Sequence, residues 1–202
     1  MRVLTIDTAT SVAAIGLVMD GDAVDAPPVR SVTAAQHVLA SIDAVLAANH
    51  LTIGDIDRIV VGRGPGSFTG QRIGLATAIG LAAPHATQLA GATTTAALRH
   101  AAGPEAVAMI DARRGEVFVE GPDIELGAYR PEDLVGRLDA GTLVVGDGAV
   151  RYRSTFAHCT VPTDDSALHV PAAFALTALG DGSEPATPIY VREPDAVRIE
   201  DR

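Results

Sequence analysis

A loop of glycine, proline and hydroxyl residues is the first part of this 202-residue sequence that could bind a ligand. Residues 62–70 read GRGPGSFTG and precede an apolar, helix-like run. A dinucleotide-binding loop follows G-x-G-x-x-G, but Ser67 replaces its third glycine, and a P-loop requires a lysine that this chain lacks. Two interpretations remain. The loop could hold an anion on backbone amides at the helix N-terminus, or it could be a turn, capped by Thr69, that orients the helix. The residues alone favour the turn.

Two aspartates close predicted strands and are candidates for a phosphate or metal site. Asp7 ends the apolar run at residues 2–7, and Asp111 ends a similar run further along the chain. In a fold with two lobes, such carboxylates could lie beside phosphates or a metal ion. Each could equally accept amide hydrogen bonds within its own hairpin. For each aspartate taken alone, we favour the hairpin interpretation.

Other catalytic and metal-binding patterns are missing from the sequence. No two of the six histidines have the H-x-x-x-H spacing of a zinc-binding helix. The single cysteine, Cys159, excludes an internal disulfide and a thiolate-rich metal cage. Ser67 has no G-x-S-x-G context and no predictable base, so a nucleophilic role is not expected. We therefore expect no catalytic residue and no metal site.

The charge balance argues against a protein that binds nucleic acid by itself. All 15 basic residues are arginine, and the formal net charge is −10. An acidic chain releases few counterions from nucleic acid, so the isolated chain is expected to bind RNA or DNA weakly. No apolar run is long enough to span a bilayer, and Asp7 interrupts the first apolar stretch, which argues against a signal peptide. A cytoplasmic location is expected.

The apolar periodicity predicts a mixed α/β chain with a faint internal repeat. The predicted strands are 2–7, 12–21, a short strand before Pro27, 57–64, 106–112, 115–121 and 142–148. The predicted helices are 34–48, 69–83, 131–138, 149–156 and 171–180. The sequence IDTA at 6–9 is echoed by IDAR at 110–113, and VVGRG at 60–64 by VVGDG at 144–148. These echoes favour two related lobes.

Two of the predicted helices have more apolar surface than one sheet can cover. In helix 34–48, an arc containing Leu39 is expected to face the core, and the opposite face is rich in alanine. In helix 69–83, apolar residues point in all directions, and Gly70, Gly74 and Ala78 recur every four residues. A glycine inside a helix costs about 1 kcal/mol relative to alanine. We therefore expect another backbone to approach these three residues, and it could belong to another chain.

Four segments together resemble the TsaB (YeaZ) family. They are MRVLTIDTAT at 1–10, GRGPGSFTGQRIGLATAIGLA at 62–82, DARRGEVF at 111–118 and PIYVRE at 188–193. They occur in the family's order over nearly the whole chain. The family's most specific motif is a loop formed here by Gly64, Pro65, Gly66, Ser67, Phe68, Thr69 and Gly70.

The resemblance implies a fold and a domain organisation. The family has a duplicated actin-like, Hsp70-like (ribonuclease H-like) α/β fold with two small lobes, and the second lobe is expected to be trimmed after Glu120. We expect an N-terminal lobe at residues 1–103, a C-terminal lobe at 104–193 and a loose tail at 194–202.

The resemblance also implies a non-catalytic dimerisation subunit of the complex that forms threonylcarbamoyladenosine in tRNA beside the anticodon. Such a subunit pairs with and activates TsaD, its catalytic paralogue, and the ATPase TsaE also joins. We expect a homodimer when the chain is alone, contact with tRNA only through the complex, and no membrane association. The helices at 34–48 and 69–83 would form the partner interface. The expected interface residues are His37, Ala40, Ser41, Ala44, Phe68, Gly70, Arg72, Ile73, Gly74, Thr77, Ala78 and Leu81.

A nucleotide site is implied only in vestigial form. Asp7, Thr8, Thr10, Asp111 and Arg113 match its positions, but the usual phosphate-loop glycine is missing. We expect no cofactor on this chain alone, with ATP or ADP possible at the partner interface. Two other functions stay open, a self-sufficient actin-like ATPase or sugar kinase and, less favoured, a glycoprotease-like peptidase.

Overall fold

The computed structural model describes residues 1–30 and 34–192, so the predicted tail at 194–202 lies outside the described residues. Within them, the first lobe is built on a six-stranded sheet in the order β3-β2-β1-β5-β6, with β4 beside β2. The strands are β1 (Arg2–Asp7), β2 (Val12–Met19), β3 (Asp22–Asp25), β4 (Val29–Arg30), β5 (Arg58–Gly62) and β6 (Gln88–Ala92). Strands β1 to β3 form an antiparallel meander, while β5 and β6 run parallel to β1.

The second sheet repeats this arrangement on a smaller scale. Its order is β10-β7-β8-β9, and its strands are β7 (Val107–Arg113), β8 (Glu116–Gly121), β9 (Ile124–Tyr129) and β10 (Val144–Val145). Again three strands form an antiparallel meander, with a parallel strand beside the first of them. Asp7 and Asp111 therefore occupy corresponding strands, as the faint sequence repeat predicts.

Helices cover both faces of the first sheet. The helices of the described residues in both lobes are α1 (Ala34–Ala48), α2 (Phe68–Ala82), α3 (Thr94–Ala102), α4 (Pro131–Leu134), α5 (Asp147–Arg151) and α6 (Ala173–Leu179). Short 3-10 turns lie at Ile53–Asp55, Ala83–His85, Val135–Arg137 and Ala167–His169. Apolar residues of α1 and α2 pack on one face of the sheet, against β1, β2 and β5. The predicted bounds of α1 are confirmed, and those of α2 are shifted by one residue.

The opposite face of the first sheet is covered from a distant part of the chain. Ala173, Ala175 and Leu176 of α6 are fully buried in one cluster with Val3 and Val60 of the first sheet. The expected boundary placed residues 104–193 in the second lobe, yet α6 packs on the first. Helix α3 contacts α6 and also β7 and β8 of the second lobe, so it connects the two sheets.

Two local expectations are wrong. Leu39 was expected in the core, but its side chain is 60% exposed, while the rest of the predicted arc on α1 is buried. Thr69 was expected to cap α2, but the helix begins earlier, and Ser67 is its N-cap, with its hydroxyl accepting a hydrogen bond from the Gly70 amide at 3.1 Å.

Candidate functional site

The glycine-rich loop is hydrogen-bonded to the turn of the first hairpin. The Ser67 amide donates to the Ala9 carbonyl at 2.6 Å. A β-carbon on Gly66 would collide with the same carbonyl, and one on Gly70 would collide with the Thr8 carbonyl. The glycines are therefore needed because two backbone segments lie in direct contact. This contact fixes the direction in which α2 leaves the loop.

Asp7 is fully buried beneath this loop. Its two carboxylate oxygens accept hydrogen bonds from the Ala9 amide at 2.8 Å and the Thr94 hydroxyl at 2.7 Å. Thr94 in turn accepts from the Gly64 amide at 3.2 Å. Burial raises the pKa of Asp7 to about 6, although both hydrogen bonds act in the opposite direction. Asp7 thus links the hairpin, the loop and α3, and sequence reasoning did not identify Thr94 as its partner.

The turns of the two lobes meet at Asp147, the first residue of α5. Its carboxylate accepts from the Ser11 amide at 2.8 Å and from the Asp111 amide at 3.0 Å. Asp111 itself forms ion pairs with Arg113 at 3.1 Å and Arg151 at 3.6 Å. A carboxylate of the chain itself therefore accepts hydrogen bonds from backbone amides of both lobes. In the sequence, Asp147 stood out only as part of the VVGDG echo at residues 144–148.

The remaining vestigial positions also bond within the chain. The Thr8 hydroxyl donates to the Gly70 carbonyl at 2.7 Å, and the Thr10 hydroxyl donates to the Val12 carbonyl at 2.9 Å. Arg113 donates its amide to the Asp111 carboxylate at 2.9 Å. The structure thus gives Asp7, Thr8 and Thr10 bonding roles in the first lobe, and brings Asp111 and Arg113 together in the second.

The predicted partner surface is exposed in part. His37, Ala40, Ala44, Phe68 and Arg72 are exposed, and Ser41, Gly70, Ile73, Thr77 and Leu81 are half-buried. Two further apolar side chains lie on the same helices, Leu39 at 60% and Ile79 at 51% exposure.

Gly74 and Ala78 do not belong to this surface. Both are buried within the chain, and a β-carbon on Gly74 would collide with the Thr8 hydroxyl. The expectation that these residues receive a partner's backbone is wrong, because both are already buried within the chain and the Thr8 side chain of the first hairpin fills the space beside Gly74.

Across residues 1–30 and 34–192, no group of three or more His, Cys, Asp or Glu side chains is placed to hold a metal ion. In that same part of the chain, no helix is both long and apolar enough to cross a membrane.

Comparison with known proteins gives one family and one fold. The model of a family described as "TsaD: tRNA N6-adenosine threonylcarbamoyltransferase" matches residues 26–137. An uncharacterized protein of Mycobacterium bovis is 30% identical over 96% of this chain and 93% of its own length. The "tRNA threonylcarbamoyladenosine biosynthesis protein TsaB" of Escherichia coli is 35% identical over 58% of this chain and 53% of its own length.

Solved structures match the fold over nearly the whole chain. The structure of YeaZ from Pseudomonas aeruginosa matches with a TM-score of 0.73 and 24% identity, over 94% of this chain and 99% of the other. An uncharacterized protein with similarity to peptidase YEAZ from Pseudomonas aeruginosa matches with a TM-score of 0.74 and 24% identity, over 95% of this chain and 99% of the other. The predicted actin-like, ribonuclease H-like α/β fold is confirmed.

Proposed function

We propose a function from one premise, that this chain belongs to the TsaB (YeaZ) family. It takes part in the biosynthesis of threonylcarbamoyladenosine in tRNA. Within that process we propose that it is a non-catalytic subunit, which pairs with a TsaD-like transferase and activates it. The observation that carries the pairing is an unpartnered apolar face on two neighbouring helices of the first lobe.

This apolar helix face consists of Leu39, Ala40 and Ala44 on α1 and Ile79 on α2. Helices α1 and α2 contact each other. Leu39 and Ile79 are each at least half exposed, although their helices are buried on the side that faces the sheet. Large apolar side chains that stay exposed together commonly mark a protein–protein contact. The alanines between them leave room for a partner helix to approach closely.

The rest of the assembly follows from the family premise. We propose that the same helix face pairs two copies of this chain when the transferase is absent, and that a TsaE-like ATPase joins the assembled complex. The tRNA is reached through the complex, in the cytoplasm, and ATP or ADP binds at the partner interface rather than on this chain alone. The geometry at Asp147 supports this division, because the Ser11 and Asp111 amides, one from each lobe, already donate to a carboxylate of the chain and not to a phosphate.

The test places a charge on the helix face without touching the core. Leu39→Arg and Ile79→Arg should each fold, because their side chains lie 60% and 51% in solvent. Val135→Arg is the matched control, since Val135 is an exposed apolar residue of the second lobe at 39%. Each variant is mixed with the organism's TsaD homologue, and complex formation is measured by size-exclusion chromatography with light scattering.

We expect Leu39→Arg and Ile79→Arg to lose the complex and Val135→Arg to keep it, because a desolvated unpaired charge strongly opposes association. Circular dichroism checks that each variant is folded. Modification of tRNA by the mixture should fall in proportion to the loss of complex. If both helix variants pair and activate like the unmodified chain, the helix face is not the interface. If the unmodified chain does not associate with the transferase at all, the proposed function is wrong.

A further inference from the structure

An arginine lies on the same exposed side of α2 as the apolar helix face. Arg72, Ala76 and Ile79 are all exposed and follow one another at intervals of four and three residues. Residues at such intervals are neighbours on one side of a helix. The seven residues from Arg72 to Ile79 correspond to about 10 Å along the helix axis. A partner helix that covers Ile79 and lies along α2 therefore also reaches Arg72.

Arg72 is held in place by two aromatic residues. Its guanidinium carbon lies 3.7 Å from the centre of the Phe68 ring, and its Nε donates to the Tyr190 hydroxyl at 3.2 Å. The two rings lie 5.6 Å apart, and each is about half exposed. Stacking on a ring together with a hydrogen bond fixes the plane of the guanidinium. A side chain that is fixed in advance loses less conformational entropy when it binds.

The charge of Arg72 is not neutralised by the part of the chain that the structure describes. The Tyr190 hydroxyl is a neutral acceptor, and none of the ion pairs formed within residues 1–30 and 34–192 includes Arg72. Within the same residues, the two terminal nitrogens of Arg72, Nη1 and Nη2, have no acceptor. The end of the guanidinium can therefore bind an acceptor that comes from another molecule.

A carboxylate matches the two terminal nitrogens better than other protein groups do. The N–H donors at the end of a guanidinium are parallel, and the two oxygens of a carboxylate accept both of them at once. A backbone carbonyl has one oxygen and accepts less favourably. Arg72 is the single arginine of α1 and α2, and the chain has no lysine. Arg72 is therefore the residue with which this pair of helices can select an acidic partner.

We propose that Arg72 is the charged anchor of the partner interface and binds the carboxylate of an Asp or Glu side chain on the transferase. This inference rests on the proposed function and adds the chemistry of one contact to it. Phe68 and Tyr190 flank the ion pair and exclude water from its edges. The apolar helix face supplies the area of contact, whereas Arg72 fixes the register of the partner along α2.

The experiment measures the dissociation constant of the complex between the full chain and the organism's TsaD homologue by isothermal titration calorimetry, with both proteins freed of nucleotide. Arg72→Gln removes the charge, and Arg72→Lys keeps the charge but loses the planar group. The matched control is Arg137→Gln, because Arg137 is also exposed and also lies over a ring, that of Tyr129 at 5.3 Å in the second lobe. Circular dichroism checks that each variant is folded.

We expect the dissociation constant to rise between about tenfold and about a hundredfold in Arg72→Gln, less in Arg72→Lys, and not at all in Arg137→Gln. The exposed Asp and Glu residues of the transferase are then neutralised one at a time. One of these changes should weaken binding to the unmodified chain but have no effect on binding to Arg72→Gln, because the two residues form one pair.

The proposal is overturned if Arg72→Gln binds like the unmodified chain, if Arg137→Gln weakens binding equally, or if no carboxylate of the transferase is coupled to Arg72. An effect that appears only after ADP is added would assign Arg72 to a phosphate and also overturn it. An effect confined to self-association would assign Arg72 to a second copy of the chain, whose exposed Asp43 carries a carboxylate.

Failure of this proposal is distinguishable from failure of the proposed function. If the unmodified chain pairs with the transferase and Leu39→Arg does not, the proposed function stands whatever the Arg72 variants do. If the unmodified chain does not pair with the transferase, both are wrong.

Discussion

Replacing the buried carboxylate Asp7 with its neutral isostere tests how the first hairpin is held together. Burial raises the pKa of Asp7 from 3.8 in the unfolded chain to about 6 in the fold. Between these two values the folded state binds more protons than the unfolded state, so stability falls as pH rises. Above about pH 6 the full cost of the buried charge is present. Asp7→Asn removes the charge and should remove this pH dependence.

The magnitude follows from the two pKa values. Their difference of about 2.2 units, at about 1.36 kcal/mol per unit, makes the charge cost about 3 kcal/mol. Asparagine can still accept from the Ala9 amide, but its own amide then faces the Thr94 hydroxyl, which loses its acceptor. That loss costs about 1 kcal/mol. We therefore expect Asp7→Asn to be more stable than the unmodified chain by about 2 kcal/mol at neutral pH.

The assay is urea unfolding, followed by circular dichroism, from about pH 4 to about pH 8. Asp123→Asn, at an exposed position in the second lobe, is the matched control and should follow the unmodified chain at every pH. The reasoning is refuted if Asp7→Asn is less stable than the unmodified chain at neutral pH, or if both lose stability in parallel as pH rises. Asp7→Asn should also still activate the transferase, because Asp7 is assigned no part in the chemistry.

Three further predictions concern packing, the junction of the lobes and RNA. Gly74→Ala should lower the free energy of unfolding by about 1 kcal/mol in urea titrations, because overpacking of about 1–3 kcal/mol against the Thr8 hydroxyl exceeds the gain of about 1 kcal/mol from alanine in a helix; a more stable variant would contradict the observed packing. Asp147→Ala should speed hydrogen exchange of the Ser11 and Asp111 amides about tenfold, and unaltered rates would show that other groups protect them. In a filter-binding assay at physiological salt, the isolated chain should bind tRNA weakly, because its net charge is −10; tight, salt-sensitive binding would contradict this.

Apolar periodicity was enough to predict the long elements of the first lobe. Helix α1 has the expected bounds, and its buried residues Val38, Ile42, Val45 and Leu46 repeat with the helical period. Strand β6 and helix α3 were missed because Gln88–Ala92 and Thr94–Ala102 consist largely of alanine, glycine and threonine. Such residues carry little hydrophobic pattern. The strand is defined instead by parallel pairing with β5, which a local window of sequence does not contain.

Contacts within the site were also beyond what a local window of sequence can predict. The spacing of Gly70 and Gly74 predicted a close approach of another backbone. The structure contains one at Gly70, where the Thr8 carbonyl lies, but at Gly74 the neighbour is the Thr8 side chain, and spacing does not tell which chain supplies either. Asp7 was identified from its place at a strand end. Thr94 and Asp147 were not given their roles, because each is defined by a partner far away in the sequence.

The packing of α6 on the first sheet reverses the order in which the two lobes can be completed during synthesis. The N-terminal strands leave the ribosome first. One face of their sheet nevertheless stays open to water until Ala173–Leu179 has emerged, because Ala173 and Leu176 fill the cluster around Val3 and Val60. The second sheet has all its strands by Val145 and can therefore close earlier. A premature stop codon before α6 would consequently damage the first lobe more than the second, and with it the surface offered to a partner.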